Sequence, residues 1–364
     1  MKYDNGELCL IWLDSFLGLE YKHKQELFKM IGGKADIKEL LVQGKNYIAD
    51  NIGENEYNTL VNSANKNYLD YVISGLERKG IIAVTITSKD YPEALKNTPI
   101  PPLVLYCRGD LELLKSNIFG MVGSRKNLPS TLAVAKRYAD ELSASGLTLI
   151  TGIAEGVDAT VINTAVENGR PAISVIGGGF DHIYPKSNLD LMEKLVLNGL
   201  AISEYPPDTV PKPFHFPVRN RIIAALSKGV LIVSGAMKSG TQYTAEYTEE
   251  YGKDLFAIPY GVGVVQGAGC NDLIKRGAML TDTPKDILDF YGLTRENKKL
   301  ELNEFEKQII AVLKDGEKHT EKICAALGKR VFEITPVLSM LEMKGVISKN
   351  GVNVYGLCRN DLEE

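Results

Sequence analysis

The 364-residue chain has only five cysteines, Cys9, Cys107, Cys270, Cys324 and Cys358, an odd number with no CxxC pair. That spacing fits neither a disulfide framework nor a zinc site, so reduced structural thiols are expected. The four histidines, His23, His182, His215 and His319, form no HxxxH or HExxH pattern, and no metal is expected. Long apolar runs are missing as well. Candidates such as Leu226 to Ala236 are broken by Lys228 and Gly229 and fall short of the roughly 20 residues of a spanning helix, so no membrane partner is expected. The opening residues place acids at Asp4 and Glu7 where a secretory signal would be basic and then apolar; a cytoplasmic location is expected. Neither a GxxxxGKS/T P-loop nor a GxGxxG fingerprint with a following acid occurs, which disfavours nucleotide triphosphate hydrolysis and leaves no cofactor expected.

The most informative absence is local. The net charge is only -4, yet Leu113 to Ala139 contains no acid beside Lys115, Arg125, Lys126, Lys136 and Arg137. Thr209 to Ala245 likewise contains no acid beside Lys212, Arg219, Arg221, Lys228 and Lys238. If these cations gather on one face, an acidic body carries a basic surface suited to a polyanion. If they point in different directions they are ordinary solvated surface, and counting leaves both readings open.

What is present reads as an α/β protein with flanking modules. An apolar content of 44% and a charged content of 24% are those of a globular chain, and the length suits two to three domains. In residues 1–85, Leu8, Ile11, Trp12 and Phe16, then Leu27, Met30 and Ile31, recur at helical spacing and predict a small helical domain. Ser88 to Pro102, with four prolines, reads as a connection. From Ile118 short apolar runs alternate with helical ones, the pattern of βαβ units in a Rossmann-like parallel sheet with helices on both faces, placed at residues 86–292. Strands are predicted at Ile118–Val122, Leu147–Thr151, Ala172–Ile176, Ala201–Ser203, Val230–Val233, Leu255–Ile258 and Ala278–Leu280. Residues 300–364 read as three helices and a hairpin turning at Asn350-Gly351, a winged helix. Its candidate recognition helix, Arg330 to Gly345, balances Arg330 and Lys344 against Glu333 and Glu342, which favours a protein-contact or structural role over reading duplex DNA.

Ligands of such sheets bind at the carboxyl ends of the strands, and the motifs fall there. Gly123-Ser124-Arg125-Lys126 follows the first predicted strand, where a tight turn, a hydroxyl, backbone N–H groups and a guanidinium together form a phosphate grip, or a plain surface turn. Phe214 to Arg221 opens a helix: Arg219 and Arg221 flank Asn220, and Phe214 and Phe216 stand just before them, with Lys212 upstream. Cations beside aromatic rings are the pairing that single-strand binders use; the alternative buries the rings as core. Ser239-Gly240-Thr241 opens another helix, whose N-terminus is capped by hydroxyls and can meet an anion.

These residues, with Asp90-Tyr91-Pro92, the run from Thr151 to Asp158, Tyr184-Pro185, Ser203-Glu204, Phe256 to Pro259 and Asn271 to Ala278, resemble in order the DNA-processing protein A family (DprA, also called Smf). The front and tail resemble flanking domains that some members carry, the front being SAM or helix-hairpin-helix-like. The resemblance implies a dimeric, non-catalytic protein, paired through its Rossmann-like domain, that binds single-stranded DNA and loads RecA recombinase during natural transformation and recombination. It implies DNA contacts at Gly123, Ser124 and Arg125, at Arg219, Asn220 and Arg221, and at Ser239 and Gly240; Lys126, Lys212, Phe216 and Thr241 complete the candidate set by position. Arg125 and Arg219 are both expected on exposed loops. The sequence departs from the family pattern at Ile162, at Ser234-Gly235 and at Pro259-Tyr260-Gly261. A second reading is a phosphoribohydrolase-like enzyme, whose Gly-Gly-x-Gly-Thr-x-x-Glu signature is met at Gly240-Thr241 but has Thr244 at the glutamate. A third is a regulator reading duplex DNA through the tail.

Overall fold

The protein is described by a computed structural model over residues 3–32, 36–294, 302–343 and 346–357. Its contacts divide it into two compact units, residues 1–296 and 297–364.

In the larger unit the strands are β1 (Ile82–Thr85), β2 (Val104–Gly109), β3 (Ile118–Val122), β4 (Thr148–Thr151), β5 (Ala172–Val175), β6 (Leu200–Ser203), β7 (Gly229–Ile232), β8 (Asp254–Ala257) and β9 (Met279–Leu280). Among the described residues they form one sheet in the order β1-β2-β6-β5-β4-β3-β7-β8-β9. From β6 to β9 the pairing is parallel. All seven strands read from the sequence are present. Two were missed: β1 and β2 pair antiparallel with each other, and β2 with β6, outside the βαβ alternation that revealed the rest. The sheet therefore begins ahead of residue 86.

Strand side chains alternate between faces, so each central strand feeds two cores. On β3, Phe119 and Met121 join Ala135, Tyr138, Ala139 and Leu142 of the helix Pro129–Ala144, while Ile118 and Val122 join Ile222, Ile223 and Ala225 of the helix His215–Leu226. The same second core takes in the front helices, including Asn5–Asp14, whose residues Cys9 to Asp14 are all buried. A buried polar knot fixes that junction: Lys24 Nζ lies 2.6 Å from the Asp14 carbonyl and 3.1 Å from its Oδ1, and the Tyr106 hydroxyl on β2 donates to Asp14 Oδ2 at 2.9 Å. Cys9, Cys107 and Cys270 are buried free thiols and Cys324 is half-buried; Cys358 lies outside the described residues.

The smaller unit has helices Glu304–Leu313, Thr320–Leu327 and Val331–Met343 and the strands β10 (Lys318–His319), β11 (Ile347–Gly351) and β12 (Val354–Leu357), in the sheet order β10-β12-β11. This is the expected winged-helix set, with one correction. The hairpin turns at Val352-Asn353, where Asn353 has φ 58°, and Gly351 is already paired with Val354 after a bulge. Asparagine tolerates that left-handed conformation, so it served the turn where Asn350-Gly351 was expected to. Lys344 and Gly345 lie outside the described residues. Among the described residues no helix is long and apolar enough to cross a membrane.

Candidate functional site

The chain runs from β3 outward through β4, β5 and β6, then returns to place β7 on the other side of β3. Strand order reverses between β3 and β7, and sheets of this kind meet their ligands at the carboxyl ends of the strands near such a switch point. The loop after β3 carries residues 123–128. The stretch after β7 runs through Ser234 to the helix Gly240–Glu250.

Arg125 is exposed, as expected, and its guanidinium lies 5.2 Å from the centre of the Phe216 ring. That ring rests against Gly177 and stands 5.7 Å from Tyr184, which is half exposed. Arg125, Phe216 and Tyr184 line one open pocket together with Glu155 and Arg219. A cation, two aromatic rings and a carboxylate at one mouth can hold a phosphate and a flat heterocycle side by side. Lys126 is exposed on the same loop as Arg125, and Lys212 reaches over Phe214, 5.9 Å from its ring centre. Phe214 itself is 62% exposed, so of the two phenylalanines the one left out of the candidate set is the more open to a ligand.

The two arginines of the helix His215–Leu226 are not where they were expected. Arg219 is buried rather than on an exposed loop: Nη1 donates to the Val175 carbonyl at the end of β5, Nε donates to Asn220 Oδ1 at 3.0 Å, and the side chain closes with Asp158 on Gly152. Burial pulls the Arg219 guanidinium below its ordinary range against the opposing pull of Asp158, and raises the Asp158 carboxyl in turn. Arg219 reaches the pocket wall but is held there by the sheet. Arg221 does not line the pocket. It forms a buried two-pronged ion pair with Glu204, at 3.1 and 2.6 Å, and so is a structural cation.

The remaining candidates sit around the switch point. Gly123 has to lack a side chain because a Cβ there would lie 2.4 Å from Val157 Cγ2, which packs down on the loop. The Ser124 N–H, expected to be free for a phosphate, donates to Ser234 Oγ at 3.0 Å. Asn220 Nδ2 donates to the Gly240 carbonyl at 3.3 Å, tying its helix to the next one. Ser239 Oγ bonds Thr241 Oγ1 at 2.5 Å rather than the backbone of the helix Gly240–Glu250, whose N-terminus has no side-chain cap. An exposed, uncapped N-terminus keeps its partial positive charge available to an anion.

A family model described as DNA recombination-mediator protein A matches residues 82–292, more than half of the chain. The chain belongs to this family. The recombination-mediator match covers β1 to β9, the two strands missed from the sequence included. The DNA processing protein DprA of Bacillus subtilis is 36% identical over 222 residues, 61% of this chain and 75% of the relative. Protein Smf of Escherichia coli is 31% identical over 290 residues, 75% of this chain and 76% of the relative. Among solved structures, DprA from Streptococcus pneumoniae superposes with a TM-score of 0.66 at 28% identity, covering 79% of this chain and 98% of that one. DNA processing protein A from Helicobacter pylori, a structure described for its single-stranded DNA binding mode, gives 0.53 at 29% identity over 58% of this chain and 95% of that one.

His215 offers a pH-dependent check on this end of the sheet. It is buried, stacked 4.2 Å from Tyr205, with Nδ1 3.2 Å from the Gly177 carbonyl, and burial, helped by Lys212, pushes the imidazole below its ordinary range. The folded protein then prefers the neutral ring. As pH falls below about 6.5 the unfolded chain takes up the proton first, and stability is lost down to the lowered folded value. Thermal unfolding of the wild type should lose more between pH 7 and pH 5 than that of His215→Phe; parallel losses would exclude this residue as the source.

Proposed function

We propose that the chain binds single-stranded DNA without sequence preference at the mouth where the loops after β3, β4 and β5 meet the start of the helix His215–Leu226, as a non-catalytic mediator. The observation that carries this reading is Arg125 lying on Phe216 beside half-exposed Tyr184, a phosphate-seeking cation and stacking surfaces at one mouth. Gly123, Ser124, Lys126, Lys212, Asn220, Ser239, Gly240 and Thr241 are the further contacts of this reading, and Arg219 braces the pocket wall. The Helicobacter pylori relative supports the ligand. Membership of the family supports the rest: cytoplasmic action as a homodimer through the Rossmann-like domain, and handing of the strand to RecA recombinase in natural transformation and recombination. In this reading the front helices, the Rossmann-like sheet from β1 onward and residues 300–364 are its three modules. The phosphoribohydrolase reading lacks a base: Thr244 is buried where that chemistry needs a carboxylate, and Glu246 is exposed further along the helix.

The test is binding of a labelled oligonucleotide, single-stranded and duplex in parallel, across a salt series. Tight, salt-sensitive preference for the single strand is expected. Phe216→Ala should weaken it about tenfold, given roughly 1–3 kcal/mol per stacked base, with the salt slope unchanged because no charge is lost. Duplex preference, or no binding, sinks the reading.

A further inference from the structure

Three loops meet at a closed ring of hydrogen bonds beneath Arg125. Ser234, fully buried just beyond β7, accepts the Ser124 N–H at 3.0 Å and donates to Asn127 Oδ1 at 2.7 Å. Asn127 Nδ2 closes the ring by donating to the Ser124 carbonyl at 2.6 Å. The loop after β4 lies directly on it. The Val157 N–H points to the Ser124 carbonyl at 3.4 Å, and Gly156, at φ 85°, leaves so little room that a Cβ would sit 2.5 Å from that carbonyl oxygen and 2.8 Å from Asn127 Nδ2. The two residues flanking Arg125 and Lys126 are thus anchored to the loop after β7, across the switch point, and that anchor is one hydroxyl.

We infer that Ser234 and Asn127 are positioning residues of the single-strand site: without touching the ligand, they hold the loop so that Arg125 stays over Phe216. The argument is one of freedom. Arg125 is exposed and Phe216 half-buried, so the 5.2 Å stacking between them has little packing of its own to hold it. A loop tied at Ser124 and Asn127 leaves only the Arg125 side chain to order when a ligand arrives, and the smaller that entropy loss the tighter the binding. The ring also uses up the Ser124 N–H, so a phosphate here must be met by side chains and by the uncapped helix at Gly240. This role rests on the single-strand reading above; the ring itself does not.

The experiment has two arms on the full chain. Hydrogen exchange of the segment around Ser124 should quicken about fivefold in Ser234→Ala and in Asn127→Ala, the equilibrium equivalent of one ordinary hydrogen bond. Asn127 lies on a half-buried loop, so that variant keeps the test usable should Ser234→Ala fold poorly. In the binding arm, Ser234→Ala should lose several-fold in single-strand affinity with the salt slope unchanged. The loss is bounded by that of Arg125→Ala, about eightfold at 50 mM salt for one phosphate contact. Combined with Arg125→Ala, neither variant should weaken binding further, since a positioning residue has nothing left to position. Unchanged exchange, unchanged affinity, or losses that multiply in the double variants would overturn the proposal. A wild type that fails to bind single strands while exchange still responds to Ser234→Ala would overturn the ligand reading and the positioning role together, and leave the ring as a structural tie.

Discussion

Arg221→Ala should lower the stability of the larger unit by about 3–5 kcal/mol, the usual consequence of removing one partner from a buried ion pair. The guanidinium and the Glu204 carboxylate are each 4% exposed and meet through two hydrogen bonds, with Tyr21, Tyr91 and Tyr205 around them. Truncation leaves a carboxylate buried without its counterion. At roughly 2–4 °C per kcal/mol for a unit of this size, the unfolding midpoint should fall on the order of 10 °C. The paired replacement Arg221→Met with Glu204→Leu should cost far less, because neither charge remains to be satisfied. Thermal unfolding of the three variants decides the matter. Normal stability in Arg221→Ala, with oligonucleotide binding lost, would make Arg221 a ligand contact and refute its structural assignment.

Arg125→Glu should produce the largest change in binding. Arg125 is exposed on the loop after β3, among residues that contain no acid from Leu113 to Ala139. Reversing its charge removes one phosphate contact and adds one repulsion. With a slope of about -0.7 per contact for single strands, that amounts to a loss of roughly 65-fold at 50 mM salt, shrinking to about threefold at 500 mM. The stacking of the cation on Phe216 disappears as well, worth about 0.5–2 kcal/mol. Because the side chain is exposed, the unfolding midpoint should stay within a degree or two. A salt series by fluorescence anisotropy checks both the size and the convergence; a deficit that persists undiminished at high salt would mean the variant had disturbed the fold instead.

Much of the architecture was legible because it is written in short-range pattern. The runs Ile118 to Val122 and Val230 to Val233 have no polar residue among them, are too short for helices and alternate with helical segments, as strands of a sheet covered on both faces do. The loops that follow such strands gather at one end, so chain order alone brings Gly123 to Lys126 and Ser239 to Thr241 to the same end of the sheet. β1 and β2 escaped for a reason equally physical. Ile82 to Thr85 follows a helix and Val104 to Gly109 follows a proline-rich stretch, and neither is joined to its neighbour by a crossover helix. Their hydrophobic partners are the front helices, which no local pattern announces.

The charge pattern marks where local reading ended. An acid-free window from Thr209 to Ala245 promised exposed cations, yet the acids that claim Arg221 and Arg219 stand outside it, Glu204 at the end of β6 and Asp158 on the helix after β4. Ser234 read only as a departure from a pattern, while its hydroxyl joins two loops more than a hundred residues apart in sequence. The sequence by itself determined the seven parallel strands β3 to β9, the end of the sheet at which a ligand is met and the family, since each depends on residues near one another or on their order. Which cations face solvent, which are spent inside, and what steadies Arg125 were decided by tertiary structure alone, because a charge or a hydrogen bond is settled by the partner that folding brings to it.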